Sequence, residues 1–178
     1  MTLEAATAAD VERIVALVES AFRGDASRAG WTTEADLLDG RRTGPDEIAA
    51  ILANPAQLIL VEREPDGRLL ASVVLRRDGE AAWLGMLSVR PTAQGGGIGR
   101  RVVAGAEDWV RRHWGSRRMR MTVIVQRTEL IAWYERRGYR ATGETAPFYY
   151  GDPRFGLPKR NDLSFIVMEK PLDTPAPG

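Results

Sequence analysis

Cysteine is absent from the 178-residue chain, and histidine occurs once, at His113. The first absence excludes a disulfide scaffold, a thiolate metal site and a cysteine nucleophile. The second leaves too few imidazoles for a histidine-rich zinc or iron centre, so no metal is expected. A charge excess is missing too: 25 basic side chains face 24 acidic ones. A protein that grips a polyphosphate backbone is normally far more basic, so nucleic acid is a poor partner. No apolar run approaches the ~20 residues that span a bilayer. Met1-Thr2-Leu3-Glu4 lacks the basic start of a secretory leader, and the expected setting is the cytoplasm. What remains is ordinary: 44% hydrophobic and 28% charged residues, enough for a packed core of one domain.

The patterning predicts alternating helices and strands. Thr7-Ala8-Ala9-Asp10 resembles a capping box ahead of an apolar stripe through Val11, Ile14, Val15, Val18 and Phe22. A polar segment, 25–45, follows, with a helical piece predicted at 34–38 and a second helix at 46–52, stopped by Asn54-Pro55. Three strands are predicted at 57–63, 68–76 and 81–89, joined by the short turns Pro65-Asp66-Gly67 and Asp78-Gly79, hence antiparallel. A long helix is predicted from Ile98 to about Trp114, a strand at 119–125, and a short helix at 129–137 closed by Gly138. Two last strands, 139–144 and 163–169, flank a glycine- and proline-rich loop. The expectation is a single α/β (α+β) domain over 5–170, with a flexible tail at 171–178.

The informative stretch runs from an apolar strand through Gln94-Gly95-Gly96-Gly97-Ile98-Gly99-Arg100 directly into a helix. The first-turn N–H groups of a helix lack internal partners, and its dipole favours an anion there. Glycines remove each Cβ that would keep a pyrophosphate from the backbone, and Arg100 adds a cation. A glycine turn that only redirects the chain is the plainer alternative. A Walker loop would need Lys and Ser or Thr where Arg100-Arg101 stands, and a dinucleotide fingerprint would need glycine at Arg100 or Val102.

Gln94-x-x-Gly97-x-Gly99, preceded by Leu87-x-Val89-x-Pro91, resembles motif A of the GNAT acetyltransferases. Ile131-Ala132-Trp133-Tyr134-Glu135-Arg136-Arg137-Gly138-Tyr139 resembles their motif B, and the element order is similar from about Ala6 to Lys170. The resemblance implies the GNAT fold: a mixed, mostly antiparallel sheet of six to seven strands flanked by about four helices. It implies acetyl-CoA as cofactor and a primary amine of a small molecule as acceptor, attacking directly in a ternary complex. Strands 81–89 and 119–125 would part for the pantetheine arm, bonded by the backbone of Leu87 and Val89. The amides of Gly95, Gly96, Gly97, Ile98, Gly99 and Arg100, next to Gln94, would cup the pyrophosphate. Many family members carry Asn where this chain has Arg127, which could serve cofactor or acceptor.

Acyl transfer to an amine needs a polarised carbonyl, a neutral amine and a proton for the departing thiolate. Family resemblance makes Tyr134 the acid, since a phenol with a pKa near ~10 still holds its proton at neutral pH; spacing alone reads it as a core aromatic beside Leu130. The family often places a glutamate on the 81–89 strand, which here carries none. Glu34 is the substitute base, against the simpler reading of a carboxylate facing a helix dipole. His113 lies about 20 Å along its helix from the glycine loop. For the acceptor, Trp31 and Tyr149 are the candidate contacts, with Phe148 and Tyr150 nearby, and Arg41, Arg42 and Arg127 could meet a substrate carboxylate. A non-catalytic acyl-CoA sensor and a nucleotide binder using the same loop are the competing readings. A homodimer through the late strands or the 146–160 loop is compatible with the sequence.

Overall fold

The apolar alternation of the first hairpin shows how the molecule is layered. In β3 (Gln57–Arg63), Ile59 and Val61 point to one face of the sheet, whereas Leu58 and Leu60 point to the other. In β4 (Leu69–Asp78), Val74 joins the first face and Ala71, Val73 and Leu75 the second. A strand with period-two side chains that are apolar on both sides must be covered on both sides. One cover is α1 (Val11–Phe22) with α2 (Pro45–Ala53), whose Ile14, Leu17, Val18, Ala21, Ile48 and Ile51 complete that core. The other is α3 (Ile98–Trp114) with α4 (Thr128–Glu135), through Val102, Val103, Ala106, Val110 and Tyr134. The computed structural model describes residues 2–152 and 156–173.

Five further strands join β3 and β4: β1 (Glu4–Ala5), β5 (Ala81–Val89), β6 (Arg118–Ile124), β7 (Arg140–Pro147) and β9 (Ser164–Pro171). Together the seven form one sheet in the order β1-β3-β4-β5-β6-β9-β7. All neighbours run antiparallel except β5 and β6. That parallel pair is joined at only three positions, Ala81↔Arg118, Ala82↔Met119 and Trp83↔Arg120. Beyond Trp83 the strands part. The expected mixed sheet with four flanking helices is therefore present.

Several boundaries match the sequence reading within a residue or two, including α3 and the strands at 57–63 and 81–89. Thr7 takes the predicted role of a cap: its N–H donates to Asp10 Oδ2 at 3.0 Å, and a 3₁₀ turn, Ala8–Asp10, leads into α1. The helix expected at 34–38 is absent. A single turn, closed by the amides of Leu37 and Leu38 on the Glu34 carbonyl, leads instead into β2 (Leu38–Asp39). This strand pairs with β8 (Leu157–Pro158), a partner more than a hundred residues away that local periodicity does not show. Within the segment expected as a tail, 171–178, β9 continues to Pro171 and Leu172 is buried in the core, while 174–178 lie outside the described residues.

Candidate active site

The divergence of β5 and β6 opens a cleft of about 900 Å³. Its walls include Leu84, Gly85, Met86, Leu87 and Val89 on one side and Met121, Thr122, Val123 and Ile124 on the other. A bulge shapes the first wall. Ser72 pairs with Ser88 and Val74 with Gly85, so Met86 and Leu87 share the single residue Val73 opposite. Met86 takes φ 46°, the one positive φ among described residues other than glycine. A bulge of this kind re-aims backbone groups out of the ladder, and it is held only where surrounding structure enforces it.

At one end of the cleft lies the glycine loop. The chain leaves β5, makes a 3₁₀ turn at Pro91–Ala93 and enters α3 through Gly97 as N-cap. Gly95 and Gly97 have φ 91° and 79°, values that a side chain strongly disfavours. The first backbone bond into the helix is Arg101 N–H to the Gly97 carbonyl, 3.1 Å. No side chain caps the helix, and the amides from Gly95 to Arg100 meet no protein acceptor among the described residues. Every glycine of the loop lines the cleft, as does Arg100. Free donors, a helix dipole worth about 0.3–1 kcal/mol to a nearby anion, and a wall without Cβ atoms suit a pyrophosphate. Ile98 contributes only backbone here, because its side chain packs on the core.

Gln94 has a different task from its neighbours. Its Oε1 accepts from the amides of Trp31 (2.9 Å) and Thr32 (3.3 Å), and its Nε2 donates to Thr32 Oγ1 (2.8 Å) and the Val89 carbonyl (2.9 Å). Three of these bonds reach Trp31 and Thr32 and the fourth reaches the end of β5, so one carboxamide latches that segment to the strand and the glycine loop. A Cβ on Gly30 would overlap that carboxamide, so Gly30 lets the two backbones approach. Of the Val89 backbone groups expected to bond a pantetheine arm, the carbonyl is taken by this latch.

Tyr134 sits in the cleft wall next to Leu130, 5% exposed. Trp133 and Tyr139 stack edge-on against it at 5.0 and 5.6 Å. Its hydroxyl finds no protein partner among the described residues. Burial pushes its pKa well above the usual phenol value, opposed by the charges of Arg127 and Arg137. Trp133, which sequence reasoning passed over, lies against Gly99 and carries the Arg137 guanidinium 4.0 Å above its ring. Its i, i+4 spacing to Arg137 was the available signal.

Glu34 does not stand free as a base. It is 7% exposed, with Oε1 3.2 Å from Arg23 Nη2 and Oε2 3.3 Å from Arg127 Nη1. Arg127 also donates to the Thr32 carbonyl at 2.5 Å. Both residues line the cleft, yet their charged ends hold each other and the 30–34 segment. Trp31 and Tyr149 both line the cleft as well, 37% and 51% exposed, with Trp31 6.0 Å from Trp133 and Tyr149 6.1 Å from Phe165. Phe148 is core, and Tyr150 accepts the Leu163 amide and donates to the Arg160 carbonyl. Among described residues, the other carboxylate lining the cleft is Glu47, exposed in the first turn of α2. An acid there reads from sequence as a helix-dipole partner, which is why it escaped notice. His113 is remote, its Nδ1 2.9 Å from the Trp109 carbonyl at the far end of α3. No cluster of metal-ligating side chains occurs among the described residues.

Comparison with known proteins agrees with this geometry. The family model described as the Acetyltransferase (GNAT) family matches residues 12–139. No curated protein matches the chain in sequence. Among solved structures, the ribosomal-protein-alanine N-acetyltransferase from Escherichia coli superposes with a TM-score of 0.71 at 16% identity, covering 98% of this chain and 96% of that one. A variant of the spermidine N-acetyltransferase from Vibrio cholerae gives 0.67 at 15% identity, covering 97% and 95%. Nourseothricin acetyltransferase gives 0.57 at 22% identity over 67% of each chain. With its open strand pair, its uncapped glycine-rich helix start and a family match over most of its length, the chain belongs to the GNAT family and is an acyl-CoA-dependent N-acyltransferase.

Proposed function

We propose that the protein transfers an acetyl group from acetyl-CoA to a primary amine of a small-molecule acceptor, by direct attack within a ternary complex. The observation that carries this reading is the cleft itself: β5 and β6 pair at three positions and then separate, leading from the amides at the start of α3, without acceptors among the described residues, to Tyr134. Acetyl-CoA supplies an acyl group already activated as a thioester. The loop amides from Gly95 to Arg100 hold its pyrophosphate, and the free edge of β5 at Leu87 and Val89 aligns its pantetheine arm as an added strand would be aligned.

The bulge at Met86 and Leu87 supplies N–H groups outside the ladder, the kind of fixed donor that stabilises charge developing on a carbonyl oxygen. Tyr134 keeps its proton at every physiological pH, because burial raises its pKa. It therefore acts first as a hydrogen-bond donor to the departing thiolate, and Arg127 and Arg137 oppose the cost of phenolate formation as the proton moves. Glu34, held between two guanidinium groups, is a positioning residue. Loss of the amine proton falls to water in the open cleft or to an acceptor that arrives neutral. Since so charged a substrate does not cross membranes unaided, a cytoplasmic setting suits the reaction; none of the described helices is long and apolar enough to span a bilayer.

A panel of primary amines assayed for acceptor-dependent release of free thiol tests the reading. Turnover with at least one small amine is expected. Tight acetyl-CoA binding without any acceptor-dependent thiol would overturn it in favour of a non-catalytic acyl-CoA sensor.

A further inference from the structure

On the acceptor side of the cleft the arginines and carboxylates are unevenly paired. Arg23, Arg42 and Arg127 all line it. Glu34 pairs with Arg23 and Arg127. Glu19 spends one carboxylate oxygen on the backbone amides of Arg42 and Thr43, at 2.5 and 2.8 Å. Glu47, the other acid of the cleft, pairs with none of the three. The Arg42 guanidinium has neither an ion pair nor a hydrogen bond among the described residues. Its contact is with the Phe22 ring, 6.0 Å from the centroid, and the Arg127 guanidinium lies 5.9 Å from the same centroid. Arg23 is buried to 6% exposure, and its Nε has no acceptor.

Two guanidinium groups around one aromatic ring repel each other unless an anion lies near both. Burial lowers the Arg23 pKa and the Arg42 charge adds to that, whereas Glu34 and Glu19 oppose it, so Arg23 feels Arg42 as a nearby like charge. Arg42 is thus left with its guanidinium at the cleft and no anion bonded to it among the described residues. Arginine does suit a ligand carboxylate, because its planar fork matches two oxygens and the aromatic ring beneath keeps the fork oriented.

Resting on the proposed acetyl transfer, we infer that the acceptor is an amine that also bears a carboxylate, as an amino acid does, and that Arg42 receives this carboxylate beside Arg127 at the Phe22 ring. Arg42 is the specificity-determining residue of the three, since its charge alone is uncommitted. Polyamines, with two or more cationic ends, are disfavoured by the same cluster. The cofactor phosphates have their own donors in the glycine loop, with Arg100 at its side.

Matched triplets test this: an α-amino acid, its carboxamide and its decarboxylated amine, titrated calorimetrically into protein saturated with CoA and assayed in parallel for thiol release. The carboxylate member of a triplet is expected to bind at least about tenfold tighter than its partners, a difference one charge-assisted pair can supply. Arg42→Gln should remove that preference while leaving the acetyl-CoA KM unchanged, and Arg42→Lys should restore part of it. Equal or weaker binding of the carboxylate members overturns the inference, as does an Arg42→Gln effect confined to acetyl-CoA. The two assays separate the claims: carboxylate preference without thiol release in any triplet supports the anion site and sinks acetyl transfer, whereas thiol release favouring the carboxamides or polyamines sinks the anion site and leaves acetyl transfer standing.

Discussion

At the scale of single residues, the site depends on two side chains whose burial decides what they do. Tyr134 is shut into the cleft wall, its hydroxyl without a partner among the described residues. Tyr134→Phe keeps the ring packing and removes one proton, so kcat should fall about a hundredfold or more with acetyl-CoA affinity nearly unchanged. Single-turnover kinetics beside calorimetry will show it, and unchanged turnover would remove Tyr134 from the chemistry. Glu34 is buried between Arg23, with a 4% exposed side chain, and Arg127. Glu34→Ala leaves Arg23 as an uncompensated buried charge and should cost about 3–5 kcal/mol in denaturant unfolding. Glu34→Gln, which keeps the shape and one acceptor oxygen, should cost less and leave the form of the pH–rate profile intact. A lost limb in that profile would restore Glu34 as the base.

At the scale of elements, the cleft is assembled by a strand pair that stops pairing and by a side chain that links two loops. Gln94 joins Trp31 and Thr32, on the proposed acceptor side, to the turn that enters α3. Gln94→Ala removes four hydrogen bonds, two from backbone amides and two from the carboxamide nitrogen. It should raise the acceptor KM several-fold and blunt discrimination among acceptors, with a smaller change for acetyl-CoA. An equal rise in both KM values would mean that the latch serves the cofactor loop itself. Gly97→Ala acts on the opposite partner. With φ 79° at the N-cap, an alanine there costs about 1–2 kcal/mol locally, so acetyl-CoA binding should weaken roughly tenfold while the fold, measured by circular dichroism, persists.

At the scale of the whole molecule, a two-faced sheet buries Tyr134 and Tyr139 between β-strands and the α3–α4 layer. Burial raises both phenol pKa values above the usual range, and the Glu107 carboxylate that accepts the Tyr139 hydroxyl at 2.8 Å adds to the second. Below about pH 10 folded and unfolded chains both keep these protons, so this stability is fully present. Above it the unfolded chain releases them and the folded chain does not, so stability falls by about 1.4 kcal/mol per pH unit for each phenol. The denaturant midpoint should stay level to about pH 9.5 and then decline, and Tyr139→Phe should roughly halve the slope. A midpoint indifferent to alkali would contradict the burial.

Much of this architecture was legible in the amino-acid sequence, because periodicity and turn residues are local. The helix α3 is bounded by Gly97 and Gly115, β3 and β5 by their neighbouring turns, and the loop into α3 by its glycines. The same glycine spacing did not foretell the Gln94 latch, the β2–β8 pairing or the clamping of Glu34 by Arg23 and Arg127. Arg23 and Glu34 stand 11 residues apart, and the two short strands more than a hundred, where neither capping nor periodicity reaches. Charge and hydrogen-bond partners are chosen by which surfaces the fold brings together, and only the tertiary structure makes that choice.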